Sequence, residues 1–423
     1  MSEQKTNYQR TKLACYAAYF TMSSIFCVPP LLFVTLRETY GISYTLLGTL
    51  VLVNFCTQLG IDLVFTMFSQ KFNPKIIVRI MPLITSAGLL IYALIPLFFP
   101  SIAYAGLLLG TVIFSVAAGL SEVLLSPTIA AIPSKTPQRD MSMLHSLYAF
   151  GVFSMVLIST LFLKIFGAEH WNDLIILLSL LPVVAAVLFM TSPMPDMGLG
   201  DGGEKRTQRN SRRRTVGLAL CVACIFFGSC AENTMGNWIS GFMENALGID
   251  KALGDLLGMA MFAILLGVAR ILYARYGKNI CRVLLLGMIG ATVCYLVAGL
   301  SSGVIAPFVA CIMTGFVTSM LWPGTLIMME EKIPHAGVAA FALMAAGGDL
   351  GASVAPQLMG ILIDRVSASS FAANLAPSLE MTTEQIGLKA AMLVSAIFPI
   401  IGTVLVLYII HFFKKTPSEE LEA

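Results

Sequence analysis

From Leu13 to Leu36 the chain runs for 24 residues without one ionisable acid or base. A helix of about 20 apolar residues crosses the hydrocarbon of a bilayer. Nothing else satisfies backbone amides there as completely, because lipid offers them no partner. The run also exceeds the roughly 7–15 apolar residues of a cleavable leader. It therefore reads as a spanning helix retained in the mature protein.

The same pattern recurs along the chain. Breaks at charges, prolines and glycine clusters predict further helices, giving spans over 13–36, 43–68, 76–98, 102–132, 141–166, 171–192, 215–246, 252–276, 281–301, 304–330, 335–363 and 388–413. Two uncharged runs, Ile80–Ser121 and Val283–Met329, are long enough for two spans each, with turns at Phe98-Phe99-Pro100-Ser101 and Ser301-Ser302-Gly303. Only 12% of residues are charged, against about 25% in soluble domains. Such a chain cannot cover its own apolar mass with a water-facing shell. The expected class is an all-α polytopic membrane protein of twelve helices.

Orientation follows from the basic residues, which favour the cytoplasmic side. With both termini inside, 21 of the 26 lysines and arginines fall on that side. The five outside are Arg37, Lys164, Lys251, Arg365 and Lys389. A cytoplasmic membrane with both termini cytoplasmic is expected. Residues 193–214 combine prolines, Gly-Asp-Gly-Gly and an Arg-Arg-Arg run, and read as a cytoplasmic linker. It separates a bundle over 1–192 from a second over 215–423. Its basic residues enforce topology and could meet anionic lipid headgroups. The nine cysteines show no metal-ligand spacing and read as small buried hydrophobes. No phosphate-cradling Gly-x-x-x-x-Gly-Lys-Ser/Thr run and no zinc-binding HExxH run occurs. No enzyme, cofactor, metal or nucleic-acid partner is expected.

The two halves repeat one another. Gly119-Leu-Ser-Glu122-Val-Leu-Leu125-Ser-Pro127 in the fourth span matches Gly315-Phe-Val-Thr318-Ser-Met-Leu321-Trp-Pro323 in the tenth at Gly, Leu and Pro, with a constant offset of 196. The same offset carries Gly151 onto Gly347. Parallel six-helix repeats are the major facilitator arrangement.

Over essentially its whole length the chain resembles the major facilitator superfamily, and within it the fucose-permease-like sugar:proton symporters. Glu122 and Pro127 resemble that group's Glu-Thr-Ala-Ala-Asn-Pro segment. Glu232, Gly236 and Trp238 resemble its Glu-x-x-x-Gly-x-Trp pattern, and Leu144-His145 with Tyr148 and Gly151 its Leu-His-x-x-Tyr-x-x-Gly run. The group's acid in the first span is missing, and the loop after the second span, Phe68-Ser-Gln-Lys71-Phe-Asn-Pro-Lys75, lacks its acidic residue. The resemblance implies a monomeric secondary transporter whose first, fourth, seventh and tenth helices line a solute cavity.

Candidate residues are the ionisable groups sunk in the spans, since a charge there costs about 2.5–3.5 kcal/mol on insertion scales. Glu122 and Glu232 are expected to carry the coupling proton and to bind solute. Asn54, Asn233 and Asn237 could hold solute hydroxyls. Trp238 and Trp322 offer flat faces to a sugar ring. His145 and Tyr148, three residues apart on the fifth span, could relay protons or meet solute. Asp349, Asp62, Gln58 and Arg270 are assigned gating or structural roles. Gln58 and Asp62 share a helix face, and Asp349 sits in Gly347-Gly348-Asp349-Leu-Gly351, where glycines permit close helix approach. The expected function is proton-coupled uptake of a small polar solute such as a sugar. An exporter on the same fold and a non-transporting membrane sensor are the alternatives.

Overall fold

The computed structural model describes residues 7–68, 72–134, 137–195, 212–333 and 337–415. Among them the chain is helical throughout, with no strand. Ten helices or helix pairs are long and apolar enough to cross a membrane: Gln9–Tyr40, Tyr44–Val64, Pro74–Phe98, Pro100–Ala130, Ala168–Met190, Arg213–Ala246, Lys251–Tyr273, Ile280–Leu300, Ile305–Lys332 and Thr383–Lys414. Helices Pro137–Phe166 and Gly337–Ser367, of 30 and 31 residues, supply the fifth and eleventh passes. The expected all-α architecture of twelve spans is the observed one. The long uncharged runs divide at the expected turns, since helices end at Phe98 and Leu300. The stretch 196–211, most of the expected linker, lies outside the described residues.

Several spans are interrupted, and proline explains three of the breaks. Proline has no amide hydrogen, so the carbonyl four residues earlier loses its helical donor. Pro29 and Pro30 follow a break at Phe26–Cys27 in the first span. Pro399 follows one at Ala396 in the twelfth, and Pro323 one at Ser319–Met320 in the tenth. The fourth span, its sequence counterpart, carries Pro127 yet runs unbroken from Ala103 to Ala130. The turn between the seventh and eighth spans is flanked by π-helical segments, Phe242–Ala246 and Gly254–Ala260. A short helix not expected from the sequence, Ser370–Leu379, lies between the eleventh and twelfth spans.

By internal contacts the chain forms two compact units. The first comprises Met1–Gly41 and Val53–Lys205, the second Ile42–Leu52 and Arg206–Ala423. In the first, the third and fourth spans pack through glycines. A Cβ at Gly110 would lie 2.7 Å from the backbone of Tyr92, and one at Gly88 2.6 Å from the amide of Phe114. Small residues are what let helix backbones approach in lipid, where no hydrophobic force drives helix association. In the second unit the eleventh span approaches the seventh through Gly347, against Val222, and Gly351, against the carbonyl of Phe226.

Because the atoms facing Gly110 are backbone, they cannot yield as a side chain would. Gly110→Val should therefore destabilise the first unit by about 1–3 kcal/mol, the usual range for overpacking. Thermal unfolding of the purified protein would show this as a lowered Tm, and an unchanged Tm would contradict the packing described.

Candidate functional site

In the first unit the polar residues of the second span face the fourth. Gly119 permits the approach: a Cβ there would lie 3.1 Å from Ile61 and 3.3 Å from the backbone of Gln58. One step along this seam, Ser115 Oγ donates to Asn54 Oδ1 at 2.6 Å, and Gln58 Nε2 donates to the same oxygen at 3.1 Å. Asn54 is 5% exposed. Its carbonyl oxygen is engaged by neighbouring side chains, as hydrocarbon requires of a buried amide. Gln58 is buried in the same knot, in keeping with a structural role.

One further turn along, Asp62 and Glu122 lie within electrostatic reach of each other. Asp62 Oδ1 is buried with no hydrogen-bond partner among the described residues. Glu122 is exposed on its unit. Two carboxylates therefore occupy one helix seam. A small pocket elsewhere in the unit is lined by Thr21, Thr85, Ser121 and apolar residues and has no ionisable group. Its three hydroxyls donate to carbonyls of their own helices.

In the second unit Glu232 is not alone. Arg270 Nη2 lies 3.5 Å from Glu232 Oε1, with the two side chains 37% and 18% exposed. Glu232 Oε2 is buried and has no hydrogen-bond partner among the described residues. The same arginine donates from Nε to the carbonyl of Ser319 at 2.9 Å. That carbonyl is the one left without a helical donor by Pro323, four residues on. Arg270 thus supplies the missing hydrogen bond at the break of the tenth span and faces the acid of the seventh. The gating or structural role expected of Arg270 names no partner; the proline at 323 was the signal that a donor was needed.

The other candidates divide. Asn233 Nδ2 donates to Ser229 on its own helix, and Asn237 Nδ2 to the carbonyl of Asn233, so both amide nitrogens are locally engaged. Trp238 is wholly buried, with its Nε1 donating to the carbonyl of Pro356 at 3.0 Å and its ring against Tyr44. Trp322 lies over Gly348, where any side chain would collide with the indole. Asp349, the next residue, is buried. In the first unit Tyr148 is exposed beside Phe26, with ring centroids 6.3 Å apart. The side chain of His145 lies outside the described residues. Among the described residues no group of three or more His, Cys, Asp or Glu side chains could hold a metal ion.

The profile of the Major Facilitator Superfamily matches residues 14–356. The chain belongs to the major facilitator superfamily. Solved members share its fold. A bacterial homologue of the human lysosomal transporter Spinster, inward-facing and occupied, superposes with a TM-score of 0.75 at 14% identity, covering 97% of this chain and 98% of that one. A D-xylose–proton symporter gives 0.71 at 14% identity, with 92% and 96% covered. The nucleoside transporter NupG gives 0.65 at 14% identity, with 96% and 99% covered. A search of curated protein sequences returned no match. The protein is a multi-pass membrane transporter and not an enzyme.

The double duty of Arg270 makes an energetic prediction. Arg270→Met removes the donor for Ser319 and leaves Glu232 unpaired, whereas Glu232→Gln removes only a partly exposed charge. The arginine variant should lose more thermal stability, and adding Glu232→Gln should restore part of that loss, because an uncompensated acid is then gone. Strictly additive losses in Tm would show that the two residues do not interact.

Proposed function

We propose that the protein is a proton-coupled importer of a small polar solute, a sugar or a similar metabolite, working by alternating access. The observation that carries the reading is the carboxylate seam of the first unit. Asp62 and Glu122 lie within electrostatic reach of each other, and Asp62 Oδ1 has no hydrogen-bond partner among the described residues. A group that readily gains and loses a proton is what gradient coupling requires. Glu122 is the more exposed member of the two.

Glu232 is the solute-side acid of the second unit. Its loose 3.5 Å pairing with Arg270 is longer than the roughly 2.7–2.9 Å of a closed charge-assisted bond, and its second oxygen lacks a donor. A solute hydroxyl would supply that donor. Trp322, Tyr148, Asn233 and Asn237 are the further solute contacts in this reading, with Asp349 a gating residue. The D-xylose–proton symporter and NupG are named for a sugar and for nucleosides, both small polar solutes. This agrees with the residues that resemble the fucose-permease-like group. We place the protein as a monomer in the cytoplasmic membrane with both termini in the cytoplasm, on the distribution of lysine and arginine.

Glu122→Gln cannot release its proton and should abolish accumulation driven by a pH gradient while solute exchange persists in part. Uptake and counterflow of a transported sugar in proteoliposomes measure both. Undiminished accumulation in that variant would remove Glu122 from the coupling role.

A further inference from the structure

Arg79 lies in the second turn of the third span, Pro74–Phe98, and its guanidinium is poorly satisfied. Nη2 donates to the carbonyl of Ser192 at 3.4 Å, near the outer limit of a hydrogen bond. Nε is buried and has no partner among the described residues. A guanidinium presents five donors in a rigid fork and keeps its charge at any ordinary pH. No carboxylate among the described residues pairs with it. Asp140, an acid at the same end of the first unit, is held by Lys12 at 2.6 Å. Lys75, half-buried, lies one turn before Arg79 on the same helix face. Arg10 is exposed at the start of the first span.

The depth of this charge decides what meets it. The third span has 25 residues and so a length of about 37 Å at the usual helical rise, against about 30 Å of hydrocarbon. Its far end carries the exposed aromatic pair Phe98 and Phe99, and such rings can sit at the headgroup level. Arg79 then falls about 7 Å inside the opposite end, at the boundary between acyl chains and headgroups. Ser192 lies at the same boundary, just past the end of the sixth span at Met190. Both helices offer exposed apolar side chains beside this point: Ile76, Ile80 and Leu83 on the third span, and Val184, Val187 and Met190 on the sixth. Phosphate is the anion that lipids place at this depth, and its oxygens match the arginine fork. The positive end of the third span favours it further.

We infer that Arg79 and Lys75 form a binding site for the phosphate of an anionic phospholipid, whose acyl chains lie along the seam between the third and sixth spans. The site stands on the first unit alone and rests neither on the solute nor on proton coupling.

Lipid titration tests it. Full-length protein in an uncharged detergent is titrated with phosphatidylglycerol, and native mass spectrometry reads the apparent Kd of the first lipid bound. Arg79→Gln should raise that Kd roughly tenfold, the effect of removing a charged hydrogen-bond donor. Arg79→Lys keeps the charge without the fork and should fall between the two. Arg10→Gln removes an exposed base at the same end and should change the Kd far less. Phosphatidylcholine, which is zwitterionic, and inorganic phosphate, which has no acyl chain, should fail to displace phosphatidylglycerol at equal concentration. Lys75→Gln should weaken binding to a lesser degree, and it decides the outcome if Arg79→Gln does not fold. An unchanged Kd in a folded Arg79→Gln protein, or in Lys75→Gln where that variant decides, would overturn the site. Displacement by phosphatidylcholine would overturn the anionic class, and displacement by inorganic phosphate would overturn the lipid.

Discussion

Hydrocarbon supplies no hydrogen bond, so every polar group within the spans must find its partner in the protein or be kept for a ligand. The rest of the structure follows from how this chain meets that demand. Serines and threonines turn back to carbonyls of their own helices, as Thr111, Thr128, Thr314 and Thr318 do. Asn54, Gln58 and Ser115 close a knot between two spans. Arg270 replaces the amide hydrogen that Pro323 withholds from Ser319. Against this background the carboxylate oxygens of Asp62 and Glu232 that lack a hydrogen-bond partner among the described residues stand out. They are where the account places chemistry, because an unsatisfied acid in lipid is costly to keep without a use.

The glycines serve the same demand from the other side. Where Gly88, Gly110, Gly347 and Gly351 bring backbones together, helices associate by close packing. Breaks in the first, tenth and twelfth spans all precede prolines, and at the tenth a charged residue of a neighbouring span sits on the freed carbonyl. The two sequence repeats have diverged at that point. The first unit keeps a continuous fourth helix with an acid at 122; the second has a broken helix with Thr318 in the matching position.

The fold was almost wholly legible from the sequence, since uncharged runs such as Leu13–Leu36 and Ile80–Ser121 leave a chain no other class to adopt. The site was legible in part. Periodicity identifies which residues are polar within a span but not which neighbour they face, and that choice decides their role. Trp238 and Asn54 carry groups that suit a ligand, and both are buried against neighbouring helices. Arg270 was expected to gate or to support structure, but its partners, Glu232 and the carbonyl of Ser319, lie on other spans and could not be read from its own.

The central claim is that the carboxylates within the spans exchange a proton when solute binds. Its most direct measurement is calorimetric titration of the purified protein with a bound sugar in buffers of different ionisation enthalpy, which counts protons moved per solute bound. The account predicts net proton uptake near neutral pH. An observed binding heat that is identical in every buffer, across the pH range where the protein stays folded, would contradict it.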